Sequence, residues 1–221
     1  MSPFCRVTKG SPRPAALHRV TSLALAAVLL AGAGGCGKKA SSLTVPMKFR
    51  PTSQMNMNTF AGDLPESTIF VGQVTDARDR TDQVGENLEE KNPVPVFASG
   101  TEPTEYVRGA LNSLLTRAGL QVGQDQGQAD RVLLTDLHHF WTKETNTYEA
   151  EVRATVTVQD RGGRQLWKGT VNGTAERFGR SLKAENYQEV FSDAAMKMVE
   201  GLLNNPGFRA ALKKDAKPVA Q

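Results

Sequence analysis

The sequence predicts an α+β domain: an antiparallel or mixed sheet of about four to five strands with two main helices packed on one face. Three observations carry that expectation. Tyr148 to Gln159 alternates apolar and polar residues, with Tyr148, Ala150, Val152, Ala154, Val156 and Val158 on one side and Glu149, Glu151, Arg153, Thr155, Thr157 and Gln159 on the other; this is the period of a strand with one dry and one wet face. Asp160-Arg161-Gly162-Gly163 follows as a hairpin turn into another strand, Arg164 to Phe178. Two helical stripes flank this region, and a helix with one apolar stripe must bury it against another layer.

The elements follow in order. Thr68 to Thr75 is rich in strand formers, and residues 76–92 are mostly charged and read as a loop. Val94-Pro95-Val96-Phe97 reads as a short edge strand, because proline lacks the N–H that a central strand needs. Thr101 opens a helix with Pro103 in its first turn and a stripe of Val107, Ala110, Leu111, Leu114 and Ala118; Gly119 stands where a left-handed cap is wanted, with Leu120 beyond it. Arg131 to Trp141, Tyr148 to Gln159 and Arg164 to Phe178 are the three main strands. The last places Trp167, Gly169, Val171, Gly173 and Ala175 inward, its two glycines leaving room for a helix to pack close. A long helix from about Ala184 to Leu203 carries Tyr187, Val190, Phe191, Ala194, Met198 and Leu202 on one face and stops at Asn204-Asn205-Pro206-Gly207. A short helix with Phe208 and Leu212 closes the domain.

The amino end has a different character. Arg6, Lys9, Arg13 and Arg19 precede an uncharged apolar run, Val20–Gly35, that ends in small residues before Cys36. A basic stretch, a short apolar stretch and a small-residue cleavage site are the anatomy of an export signal. The organisation expected is a signal peptide at 1–35, a lipidated Cys36 and flexible tether at 36–66, a periplasmic α+β domain at 67–213 and a disordered tail at 214–221. A 30-residue tether would span about 30 Å on average and at most ~100 Å when extended. Leu43, Val45, Met47 and Phe49 alternate within it, so a short extended segment can dock on the domain edge, with Pro46 confining it to that edge.

Charge and cysteine usage narrow the function classes. The whole chain of 221 residues carries +4, but removing residues 1–35 leaves 23 basic and 23 acidic residues. Such a balance is poor material for nucleic-acid binding, which depends on a concentrated positive face. The first acid after Cys36 is Asp63, so Lys38, Lys39, Lys48 and Arg50 form a basic stretch suited to anionic lipid head groups. Cys5 and Cys36 are the only cysteines, so with Cys5 in the signal and Cys36 alkylated no thiol is left for nucleophilic chemistry.

Gly34-Gly35-Cys36 resembles the lipobox of bacterial lipoproteins, although Ala33 stands where that family prefers Leu. The resemblance implies an S-diacylglyceryl group on Cys36, cleavage before it and acylation of the new amino terminus. Gly37, rather than Asp, after the cysteine implies the outer membrane. Beyond the signal segment, the element order, Arg80-Thr81-Asp82-Gln83 and Leu115-Thr116-Arg117-Ala118-Gly119 resemble the YajG-type family of small bacterial lipoproteins. That family has no established activity, so the resemblance implies place and fold rather than chemistry.

Candidate chemistry is sparse. His138-His139 is the one His pair after the signal segment, and on a regular strand adjacent side chains point to opposite faces, so the two rings are not expected to share a metal. Asp76, Asp79 and Asp82 alternate with Arg78 and Arg80, which reads as a salt-bridged loop and not a calcium site. G-x-S-x-G, G-x-x-x-x-G-K-[ST] and G-x-G-x-x-G are absent. No catalytic, cofactor-binding or metal residue is assigned; Cys36 is the single site residue, as the lipidation site. The expectation is a non-enzymatic, lipid-anchored envelope module with no cofactor and no nucleic-acid partner. It binds the membrane through its anchor and contacts an envelope protein or peptidoglycan through the 76–92 loop or the Val94–Phe97 edge. The alternatives are an auxiliary lipoprotein of an envelope lipid transporter, which needs a wide apolar groove, and a periplasmic hydrolase with a carboxylate pair from distant positions.

Overall fold

Three long strands organise the molecule: β6 (Arg131–Glu144), β7 (Thr147–Asp160) and β8 (Gln165–Phe178), each of 14 residues and paired antiparallel in that order. The computed structural model describes residues 41–55, 65, 67–89, 91–179 and 182–217. The β7–β8 turn is set by Asp160, whose Oδ1 accepts the N–H groups of Gly162 (3.0 Å) and Arg164 (2.9 Å), while Gly163 takes φ +80°. These donors, with the Arg164 N–H foremost, hold the Asp160 carboxyl below its ordinary range.

The other flank of β6 is shared end to end. β2 (Thr68–Asp76) runs parallel along its first half, and β3 (Gly85–Asn87) parallel along its last residues. β5 (Gln121–Val122) extends the sheet beyond β2, while β4 (Val94–Ser99) pairs antiparallel with β3 and β1 (Leu43–Pro46) pairs parallel with β4. Among the described residues the result is one mixed sheet of eight strands, larger than the four to five expected. The extra strands are β1, within the segment expected to dock, and β3 and β5, which at three and two residues are too short to display a period. β3 lies within the expected 76–92 loop and owes its place to Gly85, where a Cβ would stand 2.4 Å from Thr142 Cγ2 and 2.5 Å from its carbonyl oxygen.

Two expectations are corrected. Val94–Phe97 is not an edge, since β1 and β3 occupy both sides of β4. Pro95 is tolerated there because the β1 ladder begins one residue later, at Val96. Nor is the whole of 36–66 a tether: from Leu43 to Met55 the chain is part of the domain. Beyond β1, the Met47 N–H donates to the Ser99 carbonyl (3.0 Å), the Arg50 N–H to Ser192 Oγ (2.8 Å) and the Thr52 N–H to Asp193 Oδ1 (2.8 Å). Met47 and Met55 are buried.

α1 (Pro103–Arg117), α2 (Ala184–Asn204) and α3 (Pro206–Ala211) bury their stripes on the sheet. α1 ends as expected: Gly119 has φ +92°, its N–H donates to the Thr116 carbonyl and the Leu120 N–H to the Leu115 carbonyl, the paired closure that satisfies two orphan carbonyls. The inward residues of β7 are all buried and their neighbours are not. α2 rests on β8 at Gly173, where a Cβ would lie 2.0 Å from the Ala194 carbonyl oxygen and 2.3 Å from the Met198 nitrogen. Gly169 has a different use from the one expected: the Trp167 ring lies over it, 2.3 Å from where a Cβ would be, and that ring meets Phe208 of α3 edge-on at 5.6 Å.

A methyl group at Gly173 must displace helix backbone. Gly173→Ala is expected to destabilise the protein by about 2–3 kcal/mol or more in urea titration, whereas Gly109→Ala, with no atom within 4 Å of the added carbon, gains up to ~1 kcal/mol from helix propensity. Equal stability of Gly173→Ala and the parent would refute the close contact.

Candidate functional site

The candidate site grows out of an irregularity in β6. Register against β7 runs evenly from Arg131 to Leu137, then skips His138 and resumes at His139 opposite Arg153. The extra residue is a β-bulge, and it switches the parity of the strand. Leu133 and Leu137 point to the core before it, and Phe140 and Glu144 after it. Between Leu137 and Phe140, both fully packed, His138 is exposed and His139 is half-buried. The expectation that the two imidazoles take opposite faces is therefore wrong: the bulge turns both outward. Among the described residues, no group of three or more His, Cys, Asp or Glu side chains is gathered to hold a metal ion.

Outward side chains of β6, β7 and β8 floor an open groove of about 810 Å³, walled by the loop after β2 and reached by Lys197 of α2. His138 Nε2 lies 2.9 Å from Thr155 Oγ1, which lies 3.1 Å from Thr170 Oγ1, so one hydrogen-bonded row crosses all three strands. The next positions along the groove bring in His139, Trp141, Lys143, Glu149, Glu151, Thr174 and Glu176. His139 Nε2 stands 3.7 Å from Glu151 Oε2. Burial pushes this imidazole below its ordinary value, with Glu151 opposing and Arg153 and Lys143 reinforcing the shift.

The wall is the expected salt-bridged loop. Arg78, buried by its own loop, clamps Asp76 through Nε (2.9 Å) and a terminal nitrogen (2.8 Å) and reaches the Gln83 and Thr81 carbonyls. The Arg78 guanidinium holds the Asp76 carboxyl below its ordinary range. Arg80 lies over the Trp141 ring, 4.6 Å from its centroid, and pairs with Glu86 at 3.0 Å. An indole under a guanidinium, hydroxyls in a row and carboxylates beside cations make a surface chemically suited to stacking and hydrogen bonding.

Of the sequence candidates, the structure brings His138, His139, Arg78, Asp79 and Arg80 to one groove; Asp82 and the former edge strand are not among its lining. Cys36 lies outside the described residues. Trp141, Glu149, Glu151 and Glu176 were not singled out by sequence. The signal that could have found the groove is the parity change itself, Leu133-Thr135-Leu137 giving way to Phe140-Thr142-Glu144 across two histidines.

No protein family known from sequence matches the chain, and no curated protein does. Among solved structures it is similar to a DUF330-family protein from Xanthomonas campestris, with 12% identity over 72% of this chain and 94% of that one and a TM-score of 0.47. It is also similar to PelC from Paraburkholderia phytofirmans, a dodecamer (16% identity, 64% and 90% covered, TM-score 0.38), and to a minor lipoprotein from Acinetobacter baumannii (13% identity, 63% and 92% covered, TM-score 0.36). These likenesses are distant and assign no chemistry to the groove.

Because His139 is pushed down in the folded state, the unfolded chain binds the proton more tightly, and stability is lost as pH falls through the unfolded value of about 6.5. His139→Gln is expected to flatten the fall in melting temperature between pH 7 and pH 5. An unchanged slope would remove His139 from that balance.

Proposed function

We propose that this protein is a lipid-anchored envelope lipoprotein whose periplasmic domain is a non-enzymatic binding or scaffolding module, held by acyl groups on Cys36 to the outer membrane. The observation that carries the reading is the Val20–Gly35 run ending at Gly34-Gly35-Cys36, with the YajG-type resemblance as its finer form. The docking of β1 sharpens the mechanism. Only residues 37–42 separate Cys36 from Leu43, a contour of at most about 20 Å, so the domain works at the membrane surface rather than at the ~100 Å reach of a free tether. Lys48 and Arg50, both exposed, follow β1 closely and favour contact with anionic head groups. The groove beside Trp141 and Arg80 then presents to an envelope protein or to peptidoglycan.

The test is mass spectrometry of the Cys36 peptide from membranes, with in-cell crosslinking of the parent and Cys36→Ser. A diacylglyceryl-modified, acylated amino-terminal Cys36 and partners captured only by the acylated form are the expected outcome. An unmodified Cys36 in a protein that still carries residues 1–35 would overturn the anchor, and identical partners for both forms would overturn positioning as the mechanism.

A further inference from the structure

We propose that the outer edge of β8 pairs antiparallel with the β8 of a second copy of this chain about a two-fold axis at Asn172, joining two sheets into one. The starting observation is an asymmetry between the ends of the sheet. One side ends in β1 and β5, of four and two residues, and β1 carries Pro46; short strands and proline are the usual protections of an edge. β8 runs for 14 residues without proline and, among the described residues, pairs only with β7. Among the described residues no backbone hydrogen bond joins it to any other segment.

The charges on β8 say what covers that edge. Lys168, Thr170, Asn172, Thr174 and Glu176 all point outward and are exposed. Among the described residues neither Lys168 nor Glu176 has an ion-pair partner. Glu176 stands directly opposite Glu149 of β7, a like-charge pair that destabilises a sheet. An axis at Asn172 sets Lys168 opposite Glu176 of the second copy, twice by symmetry, and Thr170 opposite Thr174. A shift of two residues either way puts Glu176 opposite Leu166 or Thr170 and loses both ion pairs, so the charges fix one register. The inward positions paired in that register are Gly169 with Ala175 and Val171 with Gly173. Phe178, 83% exposed at the end of β8, comes to lie against the first residues of the partner strand. The surface is thus complementary to itself, as a two-fold interface must be.

The experiment is sedimentation of the full-length acylated protein in detergent micelles, for the parent, K168E, E176K and K168E/E176K. The parent is expected to dimerise, each single reversal to weaken the dimer about tenfold or more by creating two like-charge pairs, and the double reversal to restore it. Asn172→Cys adds a reading of register: under mild oxidation it should link to itself, and Thr155→Cys, one strand away from the edge, should not. A parent that stays monomeric up to about 100 μM, well above the 1 μM range of ordinary specific association, would overturn the proposal. So would a double reversal as weak as the singles, or a dimer that Asn172→Cys fails to link.

Discussion

Gly173 is the point on which the architecture rests. With no side chain there, the backbone of α2 lies directly on β8 at Ala194 and Met198, and α2 in turn collects the rest of the molecule. Its Ser192, fully buried, donates to the Gln188 carbonyl and stands 2.8 Å from both the Arg50 nitrogen and the Tyr106 hydroxyl. One hydroxyl thereby ties the docked segment Leu43–Met55 (the leader of the domain), α1 and α2 together. Burial pushes the Tyr106 phenol far above its ordinary value, so it stays a neutral donor at this junction. At the amino end of α2, Tyr187 donates to Glu144, a fully buried carboxylate that also accepts the Leu182 N–H at 3.1 Å; Leu182 itself takes φ +47°.

The placement of the helices decides what is left for contact. Because all three pack on one face, no helix among the described residues covers the other face of β6–β7–β8, and the His138 bulge adds an extra side chain to it. Because α2 lies over β8 without backbone hydrogen bonding to its edge, that edge has no strand partner among the described residues. The groove, the edge and the leader therefore belong to one geometry. The leader's contacts end on α2, and the exposed surfaces of the sheet are those that α2 leaves uncovered.

Much of the fold was legible in the sequence. The strict alternation of β7, the Gly163 turn and the Gly119 cap are local signals, and each element stands where its own residues put it. The docking of Leu43–Pro46 was legible as alternation and its edge position as Pro46. What escaped depended on distant partners. β3 is a strand only because Gly85 lets it lie against Thr142, and Val94–Phe97 loses its edge only because the leader returns to it. The histidines were misplaced because a bulge breaks the period on which face assignments rest. Glu144 reads as a hairpin residue and not as a buried carboxylate, since its donors, Tyr187 and Leu182, come from the far side of two strands.

The central claim is that the leader belongs to the fold through α2. Native-state hydrogen exchange of the full-length protein tests it most directly, at the amides of Met47 and Arg50. The account predicts that both exchange only through the opening that exposes the interior of α2, with the same free energy and the same response to urea. Exchange of these amides at the rate of an unstructured chain, while α2 stays protected, would contradict it and return the segment to a free tether.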